Sequence, residues 1–291
     1  MTAVMQTLVS GLLMGGIYAL ISVGLALIFG VIELVNFSHA EYLMVAMYAC
    51  YLCVTVLGID PYLSFPIVLL VMILMGLITF KGIMQRVLNA QHEIQILATL
   101  AVMLILQNLA LMLFSADYKT VRTAYSNTVL ELGPIIVSLP RLIAFVTAIA
   151  VSVGLYLYLK YTYTGTSMRA ISQNNRAAQL MGIKLKRTYC VTFTLGISMC
   201  AVGGVLLTPI YQIYPLVGAD FLLPAFVVVV IGGLSSIPGA IVAGLLVGVV
   251  ESMSAYFFGA EFQQVAYFIL FILVIILKPE GILARRKKEG V

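Results

Sequence analysis

Apolar runs close to the length of a bilayer-crossing helix alternate with short polar breaks along the whole chain. A spanning helix takes roughly 20 consecutive apolar residues. Runs of that order cover 5–32, 40–57, 65–80, 94–114, 142–159, 189–207, 221–258 and 262–277. The run 221–258 is too long for one crossing and is broken by Gly232-Gly-Leu-Ser-Ser-Ile-Pro-Gly239, a cluster of residues that end helices. The arm before that break, 221–231, would be about 17 Å long at 1.5 Å per residue, short of a hydrocarbon core about 30 Å thick. The pattern therefore predicts an all-α polytopic membrane protein, a single transmembrane domain over 1–291. It would have about 8–9 transmembrane helices, one segment being interrupted or re-entrant, as in transporters near the bilayer midplane.

Composition strengthens this reading. Of 291 residues, 63% are hydrophobic and 9% charged, against about 25% charged in soluble domains. Tyr156, Tyr158, Tyr161, Tyr163, Tyr211 and Tyr214 crowd the ends of apolar runs, and with no tryptophan they alone would form the interfacial belt. Basic residues gather at Lys81 and Arg86, from Lys160 to Arg187, and from Lys278 to Lys288. Cytoplasmic loops are rich in Lys and Arg, so all three clusters are expected in the cytoplasm, with a loop over 160–188 and a basic tail over 278–291. Connection 115–141 has mixed charge (Asp117, Lys119, Arg122, Glu131, Arg141) and is expected outside. An even number of crossings must then separate the second and third clusters, which requires the run 221–258 to count twice. The first Lys or Arg is Lys81, so no secretory signal is expected. No polar stretch between the runs is long enough to fold alone, so any catalytic domain is expected on a separate chain.

Candidate chemistry is sparse. Polar groups in lipid are costly and need a reason. The densest set is Glu33, Asn36, Ser38, His39 and Glu41, which reads as a lining of a substrate path, a buried network, or a plain polar turn. Glu251 reads as a hydrogen-bond anchor or a path residue, and Gln107 and Asn108 as glue between helices. Cys50-x-x-Cys53 has no second pair to complete a metal or redox site and reads as filler. His92-Glu-Ile-Gln-Ile96 lacks the second His of a zinc-protease pair, and no Gly-Lys dipeptide occurs, so no phosphate-binding loop of that kind is present. No catalytic residues and no metal ligands are expected, nor any cofactor on this chain or a nucleic-acid partner. In the basic loop, Ala170, Ala177, Ala178, Leu180 and Met181 predict a short helix stopped by Gly182. Arg169 and Arg176, seven apart, would share one face of it. That helix could dock a partner, lie solvated, or bind anionic membrane lipid. Gly11-x-x-x-Gly15 and Ala240-x-x-x-Gly244-x-x-x-Gly248 are small-residue ladders for close helix packing.

Several stretches together resemble the LivH-type permease subunits of ABC importers for branched-chain amino acids. They are Asn36-Phe-Ser-His-Ala-Glu41, Gly165-Thr-Ser-Met-Arg169-Ala, Arg176-Ala-Ala, Leu180-Met-Gly182-Ile, Gly232-Gly-Leu-Ser-Ser-Ile-Pro-Gly239-Ala and Lys278-Pro-Glu-Gly-Ile282-Leu. Ala40 stands where the family motif usually has Gly, and Lys278 and Ile282 depart from its usual Arg and Leu. The resemblance implies a coupling loop contacting an ATPase through Gly165, Arg169, Asn174, Arg176, Ala177, Ala178 and Gly182. It also implies a translocation path near Asn36, Ser38, His39, Glu41, Gly232, Gly233 and Glu251. The implied partners are a second homologous permease subunit, two cytoplasmic ABC ATPase subunits that use ATP, and a periplasmic or extracellular substrate-binding protein. The implied location is the bacterial cytoplasmic (inner) membrane, with the C-terminus cytoplasmic. Relatives that carry urea or other amino acids, and more remotely a secondary carrier or channel, are the alternatives.

Overall fold

Each long apolar run becomes a helix because only a helix satisfies its own backbone once water is excluded. The computed structural model describes residues 2–133 and 135–283. The chain starts with α1 (Thr2–Ile32), α2 (His39–Leu57), α3 (Phe65–Val87) and α4 (His92–Phe114). An antiparallel hairpin of β1 (Val129–Leu132) and β2 (Ile135–Ser138), absent from the sequence reading, precedes α5 (Leu139–Tyr161). Two short helices, α6 (Tyr163–Gln173) and α7 (Asn175–Leu180), lead to α8 (Leu185–Leu207). Then come α9 (Val217–Gly232), α10 (Ile237–Phe258) and α11 (Ala260–Leu277). Among the described residues eight helices are long and apolar enough to cross a membrane, and α9 is a shorter apolar helix. Of the expected basic tail over 278–291, residues 284–291 lie outside the described residues.

Contacts between connections sort the helix ends into two groups. Gln6 Nε2 donates to the Ile136 carbonyl at 2.6 Å and Gln6 Oε1 accepts from the Ile136 N–H at 2.9 Å, so α1 begins beside the hairpin. Lys119 pairs with Ile213 in an isolated bridge, and the Tyr125 hydroxyl reaches both Asp60 oxygens at 3.0 and 2.8 Å. Burial, with Asp60 beside it, pushes the Tyr125 hydroxyl up, so it stays a donor at neutral pH. The start of α1 and the connections 58–64, 115–138 and 208–216 therefore share one end of the bundle, the hairpin end. At the opposite end, the loop end, one cleft joins Glu33, Gln85 and His92 to Lys184 and Lys186, and another joins Lys160 and Arg169 to Ser235 and Leu283.

Helix α9 runs from the hairpin end to the loop end, and α10 returns. The broken segment is thus interrupted and not re-entrant. It begins at Val217, before its apolar run, and with 16 residues is about 24 Å long. Helix α1, at 31 residues, is the longest element, and its middle is enclosed by α8, α9 and α10. The two glycine ladders meet each other there. A Cβ on Gly11 would lie 2.7 Å from the Gly248 carbonyl, and one on Gly15 would lie 2.7 Å from that of Gly244. Without a hydrophobic force between helices in lipid, such backbone approach supplies the packing.

Candidate functional site

The polar set after α1 is a buried network. Asn36, Ser38, His39 and Glu41 are each 0% exposed, while Glu33 lies at the surface. Asn36 Oδ1 accepts from Ser38 Oγ at 2.7 Å and from its N–H at 3.2 Å, turning the chain into α2. His39 Nε2 is 3.1 Å from the Ile21 carbonyl; a carbonyl only accepts, so Nε2 carries the proton. Cys200 Sγ donates to the His39 carbonyl at 3.3 Å, tying α8 to the same point. Glu41 Oε1 accepts from Gln107 Nε2 at 2.8 Å, and Gly218 is packed against its other oxygen. These contacts join α1, α2, α4, α8 and α9. Gln107 does glue two helices, whereas Asn108 bonds only within its own, to Leu104. Cys50 takes a hydrogen bond from Ser64 at 3.3 Å, inside the core.

Two cavities open along α1, one toward each end. The hairpin-end cavity has a volume of about 240 Å³ and is walled by Leu13, Tyr18, Arg141, Tyr211, Glu251 and Gln263. The loop-end cavity has about 730 Å³ and is walled by Leu27, Gly30, Tyr156, Lys160, Arg169 and Ile237. Between them α1 is sealed: residues 19–25 are buried, Ser22 donates to the Ala225 carbonyl at 3.2 Å, and Gly24 meets Gly196. Of the seven path candidates, Glu251 alone faces either cavity. Arg141, which the sequence placed among the outer charges, faces the same cavity as Glu251. Neither Arg141 nor Tyr18 could be paired with Glu251 from sequence, since nothing local aims them there.

The basic loop folds as two helices rather than one. Thr162 caps α6, its Oγ1 accepting from the Gly165 N–H at 3.2 Å; Asn174 caps α7, its Oδ1 accepting from the Ala177 N–H at 3.0 Å. Asn174 is extended, with φ −156° and ψ 105°. Arg169 and Arg176 therefore sit on different helices and do not share a face. Arg169 turns back, donating to the Leu159 carbonyl, to that of Lys160 at 3.3 Å and to Thr166 Oγ1 at 3.2 Å. It covers the last carbonyls of α5, where a cation is favoured. Gly165 is required beneath it, since a Cβ there would strike the Leu159 backbone. Met168 and Ile171 are buried and hold α6 to the bundle, and Ala178 is buried under α7. Beyond α7 the chain reverses at Gly182, whose φ of +85° favours glycine. That reversal leaves Leu180 and Met181 88% and 83% exposed at the tip.

Two distant motifs meet at the break before α10. The Ile282 N–H donates to the Ile231 carbonyl at 2.8 Å, and Ser236 Oγ to the Leu283 carbonyl at 3.3 Å. Gly233 and Gly281 have φ of +99° and +95° and press together with no room for a Cβ on Gly281. Gly232 is closed in the same way against Gly239. Gly233 therefore seats the segment after α11, and Gly232 lets α10 start close against the end of α9.

A bundle of spanning helices with a cavity at either end, a sealed middle and a capped loop projecting from one end is the build of a membrane transport permease. The chain belongs to the family described as "Branched-chain amino acid transport system / permease component", which matches residues 7–277. It is 30% identical to the high-affinity branched-chain amino acid transport system permease protein BraD of Pseudomonas aeruginosa, over 99% of this chain and 98% of that one. It is also 30% identical to the corresponding LivH of Escherichia coli K12, over 99% and 97%. A probable LivH of Methanocaldococcus jannaschii is 29% identical over 90% and 87%. No solved structure matches the chain.

Proposed function

We propose that the chain is the permease subunit of an ATP-driven importer that carries branched-chain, leucine-type amino acids across the bacterial inner membrane. It works with a second homologous permease, two ATPase subunits that bind the ATP, and an external binding protein. The loop end, with its basic clusters, faces the cytoplasm, which puts the segment after α11 there too. The hairpin end faces outward and receives the binding protein on the connections 115–138 and 208–216.

The observation that carries this reading is the tip of the 162–184 loop. Its two helices are capped and the first is latched to α5 by Arg169, yet Leu180 and Met181 stand free of the bundle. Exposed apolar side chains on a rigid projecting element fit a groove on a partner. ATPase closure pushes this unit, and because it is latched to α5 the push reaches the helix that walls both cavities. The permease thus supplies two arrangements of one bundle, each in differential contact with one ATPase state.

The test is a pull-down of the chain from native membranes in a mild detergent, beside Leu180→Asp combined with Met181→Asp. An ATPase and a second permease recovered with the native tip, and the ATPase lost with the variant, support the reading. Recovery of the chain alone, under conditions where a control transporter stays assembled, refutes it in favour of a self-sufficient carrier or channel.

A further inference from the structure

We propose that the hairpin-end cavity is a built station for an α-amino acid zwitterion, with Glu251 taking the ammonium and Arg141 the carboxylate. The proposal rests on the amino-acid reading above and adds the residues and their roles. Three features of the cavity converge. Glu251 Oε2 is shut from solvent and has no hydrogen-bond partner. A carboxylate within a membrane-spanning helix is expensive unless donors or a cation complete it, and Glu251, partly exposed, has the Tyr18 side chain and the cavity beside it. The same cavity holds Arg141, whose planar fork grips a carboxylate through two parallel hydrogen bonds. Tyr211, on the same wall, feels both charges: burial pushes its hydroxyl up, Arg141 pulls it down, and Glu251 and Asp220 push it up.

The remaining wall suits an aliphatic side chain. Leu13, Met14, Ile17 and Ile210 line it, with Ser10 and Gln263 at its polar edge. Its volume of about 240 Å³ is below the roughly 300–1,000 Å³ of pockets for drug-sized ligands, so the cargo is small. One fixed anion, one fixed cation and an apolar wall match a neutral zwitterion with a hydrocarbon tail. A ligand carrying only one of the two charges leaves the other fixed charge unpaired. The geometry below the cavity fits a station rather than a through-channel, since residues 19–25 of α1, next along the helix, are buried.

The experiment is equilibrium binding of tritiated leucine to the purified assembled transporter in nanodiscs, without binding protein. Competition uses 3-methylbutylamine, which lacks the carboxylate, and 4-methyl-2-oxopentanoate, which lacks the ammonium. Glu251→Gln and Arg141→Gln are each expected to weaken leucine binding at least tenfold. Glu251→Gln should also lose the native preference for leucine over the oxo acid, and Arg141→Gln the preference over the amine. Because Arg141 lies at the exposed start of α5, its variant tests the site even where Glu251→Gln assembles poorly. Leucine binding within twofold of native in Arg141→Gln, or either preference retained, overturns the proposal and leaves Glu251 as a structural anchor. In a parallel uptake assay with binding protein, amino-acid uptake by the native transporter alongside that failure leaves the importer reading standing. Absence of any amino-acid uptake by the native transporter overturns both.

Discussion

Gly165→Ala is the sharpest perturbation of the latched loop. A Cβ at this position would run into the Leu159 carbonyl and Cα, which are backbone and cannot swing away. Helix α6 must therefore retreat from the end of α5, stretching the three donor contacts of Arg169. Overpacking a close contact costs about 1–3 kcal/mol. Burial of Met168 and Ile171, each worth about 1.5–3 kcal/mol, opposes release, so α6 stays docked on average but opens more often. A cost of 1–3 kcal/mol raises the open population by about 5–150-fold. Hydrogen exchange on the assembled transporter should show that increase across 163–173 while α8 and α10 are unchanged. Uptake should fall with ATPase subunits still bound, since the tip after α7 is intact. Exchange across 163–173 equal to native would refute the backbone clash, and normal uptake with raised exchange would refute the latch as the route of coupling.

Arg169→Leu removes the donors over the last turn of α5 without a steric push. Because Arg169 is partly exposed, the expected cost is about 1 kcal/mol, read as a smaller rise in exchange at 158–162 that Arg169→Lys, a point charge without the fork, does not restore. Gly244→Val drives a side chain into the Ala19 backbone at the seam between α1 and α10; it should cost at least about 1–3 kcal/mol and lower the melting midpoint in detergent, with Gly244→Ala intermediate. Tyr125→Phe deletes the hydroxyl on Asp60, a charge-assisted bond worth about 1.5–3 kcal/mol, and should speed proteolysis within 115–138 while leaving the helical bundle intact. Gly281→Val puts a side chain where Gly233 lies and should free the segment after α11 from Ile231, seen as faster cysteine labelling at position 282.

The sequence alone determined the helices, the break at Gly232–Gly239 and the gathering of basic residues into three short stretches of the chain. Hydrophobic length, helix breakers and charge act locally, so each is legible without knowing what packs against what. It also marked Asn36, Ser38, His39 and Glu41 as a set, because four polar groups beside apolar runs must be satisfied somewhere. What it left open was rotation: which face of each helix turns inward follows from the seam where Gly11 and Gly15 meet Gly244 and Gly248, a contact between segments far apart in the chain. The fold ties Asn36, Ser38, His39 and Glu41 into a buried network and brings Arg141 of α5 to the cavity that Glu251 lines. Arg169 shows the same limit at smaller scale. Its spacing from Arg176 suggested one shared helical face, but Asn174 breaks the helix and the last carbonyls of α5 take the Arg169 guanidinium. The exposed tip of the loop adds Leu180 and Met181 to the exposed, largely polar stretch 173–177, two apolar side chains that the fold leaves uncovered.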